Sequence, residues 1–367
     1  MEMWRFTYYT QKVYVVPNPD SYVAEHIKMT SDYPDLIADT LEPYSDLLAN
    51  IPARSHAPQT WNVTVSDAKF HWYDLVAGFP EIPDIRDPVG RYLRRMQFDL
   101  EATMEKRLVY FVINRPRIRF DTKRSVQWGF FSLKLTIPLV VGAEEKRESI
   151  TIELEVPFSA TLKKPNVTMT DRFITMNWGG FVEALSIHDL LQNYENDLKF
   201  PSKVMYVGQT KDPAGRLAKA KLPAVQKLHQ NNCDDYDTLL LIQRMNVTVA
   251  SAEGDPADLP DNQNAVAADL LLKERVDLIE CALIAYFEDP ALRLRNTQEV
   301  AMRRERVREV QEVSRLEGLT IDLKQEAGCN YQYLKSDRVG SSCSHKFECA
   351  IVDGQIGVSR IQEAVKA

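Results

Sequence analysis

"KVMYVGQTKDPAGRL", Lys203 to Leu217, is the stretch that decides how this chain is read. A short apolar run, Val204-Met205-Tyr206-Val207, closes on Gly208. A polar segment containing Pro213 and Gly215 then leads to Arg216, eight residues beyond Gly208. The pattern predicts a strand ending at the glycine, a turn, and a helix opening near Arg216. A glycine at the strand end lets another backbone or a phosphate come close, because no Cβ stands in the way. Six basic residues and one acid, Asp212, lie between Lys203 and Lys227.

Downstream, the sequence predicts a helix ("RLAKAKLPAVQKLHQ", interrupted by Pro223), a strand ("YDTLLLIQRM") and an acidic loop ("SAEGDPADLPDNQN"). A long helix follows, "AVAADLLLKERVDLIECALIAYFED", stopped by Pro290. On that helix Glu280 shares a face with Val276 and Ile284 and borders the stripe Leu272, Val276, Ile279, Leu283, Phe287. A carboxylate beside an apolar stripe is costly without a partner.

"YVGQTKDPAGRL" resembles the second half of the GIY-YIG nuclease signature, in which Tyr-(Ile/Val)-Gly ends a strand and an Arg follows. "LIECALIAYF" resembles the later family element, a helix bearing Glu with Leu-Ile three and four residues on. The resemblance spans about residues 203–296. It implies divalent-metal-dependent hydrolysis of DNA phosphodiester bonds. Glu280 would hold Mg²⁺ or Mn²⁺, Arg216 would clamp the phosphate, and Tyr206 would stand beside the attacking water. Such a reaction needs a hard cation, a fixed guanidinium and a group that orients water. Gln209, Lys211 and Lys219 are expected to touch DNA. The Gly-Ile-Tyr half is missing from the ten or so residues before Tyr206. Tyr194 lies in "SIHDLLQNYEND", which reads as a helix, and "RFITMNWGGFVEAL" is the candidate for a displaced first strand. This gap leaves a second expectation open, a GIY-YIG fold that binds DNA or assembles without cutting.

Upstream, residues 1–172 read as a β-rich recognition or assembly domain. "FFSLKLTIPLVV" and "ESITIELEV" alternate apolar and polar residues around the turn "GAEEKR", the pattern of a half-buried hairpin. "RLVYFVINRPRIRF" reads as a further strand. Helices are expected at "PDLIADTLEPYSDLLAN" and "RYLRRMQFDLEATMEKR". Arg115, Arg117 and Arg119 alternate, which would aim all three from one strand face toward a DNA backbone. An edge face made soluble by charge, with Pro116 blocking further pairing, is the plainer reading.

Residues 301–367 read as a charged helix, "QEVAMRRERVREVQEVSRL", and a cysteine-bearing tail. Cys329, Cys343, His345 and Cys349 lack the paired CxxC of a zinc knuckle, so stoichiometric zinc is not expected. Cys281 is expected to pack rather than react. The 367 residues, 44% apolar and 26% charged, suffice for a core, and a net charge of -7 does not mark a nucleic-acid binder by itself. Five cysteines and no apolar leader suggest a reducing, cytoplasmic setting, and no stretch reaches the ~18 apolar residues of a membrane span. The expected fold is α+β: a β-rich N-terminal domain, a small GIY-YIG-like α/β domain over 173–300 with a short antiparallel sheet flanked by helices, and the tail. The oligomeric state is not legible.

Overall fold

The computed structural model describes residues 59–362 apart from 80, 102–107, 131, 159, 162–163, 197, 199, 217–234, 252–256, 259–264, 290–296, 315 and 325–332. In chain order the elements are β1 (Gln59–Trp72), α1 (Tyr73–Gly78), α2 (Pro88–Glu101), β2 (Leu108–Pro116), β3 (Ile118–Phe120), β4 (Gln127–Trp128), β5 (Lys134–Val141) and β6 (Lys146–Glu153). Then come β7 (Asn166–Met169), β8 (Phe173–Asn177), β9 (Val182–Ser186), α3 (Ile187–Asn193), β10 (Ser202–Thr210), α4 (Pro213–Arg216), β11 (Tyr236–Ser251) and β12 (Ala257–Asp258). The chain continues through α5 (Ala265–Phe287), α6 (Thr297–Ser314), β13 (Leu316–Asp322), β14 (Leu334–Lys335), β15 (Lys346–Val352) and β16 (Gln355–Gln362).

The fold is mixed α+β and strand-rich. Its frame is one large sheet in the order β14-β10-β2-β11-β1-β13-β15-β16, with β12 paired to β11. Two of its pairings, β1 with β13 and β10 with β14, are parallel; the rest are antiparallel. Two small antiparallel sheets stand apart, β3-β5-β4 with β6 on β5, and β7-β8-β9.

The apolar runs of β2 ("LVYFVI") and β11 ("LLLI") follow from a sheet covered on both faces. Val109, Phe111, Ile113, Leu239 and Leu241 enter one core with Val276, Ile279 and Leu283 of α5, Val307 of α6 and Phe347 of β15. Tyr110, Val112, Leu240 and Ile242 enter another with Trp72, residues of α1 to α3 and the small sheets. From Val276 to Phe287 the α5 stripe read from the sequence is the face that meets the sheet; Phe287 sets its ring edge-on to Phe111, 5.8 Å between centroids.

The β5–β6 hairpin forms as its alternation predicts, with Leu135, Ile137, Ile150 and Ile152 buried. Ser186 and Asp189 close a capping box that starts α3, where the sequence predicted a helix. Two readings are corrected. "RFITMNWGGFVEAL" is not a displaced first strand beside β10: it folds as the β8–β9 hairpin of a small sheet. The antiparallel neighbour of β10 is β2, which sets Gly208 opposite Tyr110. The segment read as a cysteine-bearing tail is built into the frame: β13, β15 and β16 extend the large sheet beyond β1. Strands from all three sequence segments thus share this sheet. The helices expected at 34–50 and beyond Arg216 lie outside the described residues. Among the described residues no helix is long and apolar enough to cross a membrane.

Candidate functional site

The end of β10 is built from local rules. Asp212 precedes α4 and accepts a 2.8 Å hydrogen bond from the Gly215 N–H on its Oδ1, while Pro213 takes the first helical position. The Arg216 N–H closes the turn on the Asp212 carbonyl at 3.0 Å. Gly208 has a specific steric reason. A Cβ there would lie 2.7 Å from Cζ and Oη of Tyr110 and 2.7 Å from Cε1 of Tyr206. The space the sequence suggested for a phosphate is filled by two tyrosine rings, whose centroids are 6.2 Å apart.

One residue past the glycine, the Gln209 side-chain amide donates to Oδ1 of Asp277 and, at 2.8 Å, to Oε2 of Glu280. These two carboxylates sit three residues apart on α5 and so share a face. Glu280 is 2% exposed and Asp277 7%. Arg303 of α6 donates to Oε1 of Glu280 at 2.9 Å, and Arg306 lies 3.6 Å from Oδ1 of Asp277. The partner that a carboxylate on an apolar helix requires is therefore a guanidinium on the next helix. Just past the end of α5, Glu288 accepts the Val207 N–H at 2.8 Å, tying that end to β10.

Gln209 and Glu280 are thus brought together, as are Tyr206 and Tyr110. The two pairs occupy opposite faces of β10: Tyr206 packs with the core of α1 to α3, whereas Val207 faces the core of α5. Arg216 is exposed on α4, which lies against α2. Lys211 is exposed beside it, and Lys219 lies outside the described residues. Because β14 pairs only with Ser202 and Lys203, the outer edge of β10 from Val204 to Thr210 meets no strand among the described residues. Tyr206 and Glu280 do not converge on one point: the strand lies between them. Asp277 and Tyr110 were missed in the sequence. Asp277 could have been found from its spacing to Glu280. Tyr110 could not, since it reaches β10 across a long chain separation.

The arginine stripe is corrected. Arg115 is fully buried, its guanidinium 4.7 Å above the Phe70 ring, and it donates to the Ser202 hydroxyl. The strand breaks between Pro116 and Ile118, so the alternation assumed for the three arginines does not hold. Arg119 is bound to Asp237 at 2.8 Å and lies 5.0 Å over Trp72. Arg117 is half-buried and lines a cleft of 780 Å³ together with Arg119 and Asp237. Burial alone would raise the Asp237 carboxyl, but the hydrogen bond to His188 and the charge of Arg119 outweigh it and hold it below the ordinary range.

At the C-terminus, His345 uses both ring nitrogens: the Tyr286 hydroxyl meets Nδ1 at 3.1 Å, and Nε2 faces the carbonyls of Leu334 and Ser342 at 3.1 Å each. Cys349 is buried, Cys343 exposed and Cys281 half-buried against the α5 core. Cys329 lies outside the described residues, and among those described no cluster of three or more metal-binding side chains forms. No protein-family model, curated protein or solved structure matches this chain.

Proposed function

We propose that the chain is a divalent-metal-dependent DNA endonuclease of GIY-YIG type. The observation that carries the reading is the junction of Gln209 with Asp277 and Glu280, which sets a carboxylate pair one residue beyond Tyr-Val-Gly. The donor set suits Mg²⁺ or Mn²⁺. Two hard oxygen ligands from neighbouring side chains converge on one point, now held by an amide N–H. Glu280 and Asp277 would hold the ion, which when bound stabilises negative charge on the phosphate and leaving oxygens.

The chain's own groups do the rest. Arg216, exposed and rooted in a capped turn, is free to reach a phosphate at the open edge of β10 with a planar, permanently charged donor. Tyr206 and Tyr110 lie on the opposite face of β10 from Glu280, so the reading requires the scissile phosphate to sit at the strand's outer edge; there Tyr206 would orient the attacking water and, as tyrosinate, take its proton. Tyr110 supplies the second tyrosine that the resemblance calls for, from β2 rather than from the residues just before β10. DNA hydrolysis that needs Mg²⁺ or Mn²⁺ and Glu280 is the test.

A second reading has its own observation. Glu280 is almost fully buried, with one oxygen bound to Arg303 and the other to Gln209. If that arrangement is permanent, the fold serves DNA binding or assembly, and Glu280 is a structural acid. The two readings differ in what loss of Arg303 does.

A further inference from the structure

A second cleft, of 1320 Å³, lies away from β10. It takes part of its lining from Ser149 to Glu153 of β6 and part from Phe181, Glu183 and the residues after α3. Three features coincide there. First, β6 pairs with β5 alone, in an unbroken register from Lys134↔Glu153 to Val141↔Lys146, so its other edge carries no strand among the described residues. A regular edge without bulge or proline is a template for another strand. Second, the lining bears four glutamates, Glu153, Glu155, Glu183 and Glu195, against one lysine, Lys134, itself 3.8 Å from Glu153. Third, Val156, Phe158 and Phe181 stand exposed on the same lining, at 47%, 110% and 42%.

We propose that this cleft binds an extended, lysine- or arginine-bearing segment of a partner protein as an added strand on β6. Backbone hydrogen bonds to the open edge supply a sequence-independent part of the affinity, and alternate side chains supply the selectivity. Basic side chains of the incoming strand meet the glutamates, and apolar ones cover Phe158 and Phe181. Ser149 to Glu153 offers about 17 Å of edge, enough for roughly five residues at 3.3 Å each. Four carboxylates exclude a nucleic-acid backbone from this side. The surface is therefore separate from the proposed DNA site, and it does not depend on cleavage.

The experiment is a random linear dodecapeptide library panned against the full chain, followed by synthesis of the winning peptides. The expected winners alternate Lys or Arg with apolar residues. They slow hydrogen exchange at the amides of residues 149–153, and their Kd rises at least tenfold in Glu153→Gln/Glu155→Gln/Glu195→Gln and again in Phe158→Ser. All four positions are exposed, and an unchanged melting temperature verifies that each variant is folded. Failure of any peptide to enrich, winners without basic residues, protection elsewhere, or equal binding to the glutamine variant would each overturn the proposal. A dimer of the chain that dissociates in the glutamine variant would overturn it too, by making a second copy the occupant.

Discussion

At the scale of the residue, Gly208 shows how a sequence signal can be right about position and different in cause. The glycine is required because Tyr110 and Tyr206 occupy the space of its Cβ. Gly208→Ala should lower stability by about 1–3 kcal/mol, the usual range for overpacking. In a Tyr110→Leu background the same change should cost less, and urea unfolding of the four proteins of this cycle measures the difference. His71 carries a second residue-scale prediction. Burial lowers its pKa to about 4 from 6.5, against a partly compensating pull from Asp99 and Asp189. Above pH 6.5 both folded and unfolded chains hold it neutral. Between 6.5 and about 4 only the unfolded chain takes up the proton, so stability falls with pH. His71→Leu should flatten that fall by about 3 kcal/mol, at ~1.4 kcal/mol per pKa unit, in unfolding free energies measured across the window.

At the scale of the element, the periodic pieces were legible and their partners were not. The β5–β6 hairpin follows from alternation, β10 and β11 from short apolar runs, and α2 and α5 from helical stretches with a buried face; α6 was legible as a charged helix. β1 was not recognised: its apolar positions are diluted by polar ones, and a bulge between Val65 and Asp67 breaks its register. That β2 lies against β10, or that Arg303 reaches Glu280, is set by packing between distant segments, which no local period encodes. The sequence did indicate that Glu280 needed a partner. The α5–α6 contact makes that need testable. Arg303→Ala removes the guanidinium from a carboxylate that is 2% exposed and should destabilise the chain by about 3 kcal/mol. Adding Glu280→Gln should recover part of the loss. If α6 only gates a metal site, Arg303→Ala should also tighten Mn²⁺ binding, read by the loss of the free-ion electron paramagnetic resonance signal. A purely structural pair would change stability alone.

At the scale of the whole molecule, the large sheet joins strands from near both ends of the described chain, β1 and β16 included, while β3 to β9 form the two small sheets. The C-terminal strands bury Leu319, Ile321 and Phe347 beside the α5 core. A chain ending after Ser314 should therefore fail to fold, leaving apolar surface exposed and β1 with an open edge; circular dichroism and solubility decide this. A normally folded truncated chain would instead mark 315–367 as a segment the fold does not need. The proposed endonuclease rests on one comparison above all, nicking of supercoiled plasmid by the wild-type chain and by Glu280→Gln, each with Mg²⁺ or Mn²⁺ and with a chelator. The expected result is nicking by the wild type only with metal, and a loss of several orders of magnitude in Glu280→Gln, which keeps the volume and removes the charge, its folding verified by circular dichroism at the assay temperature. Equal nicking by both proteins, or none by the folded wild type with either metal, contradicts the assignment of Glu280 as metal ligand in an active site.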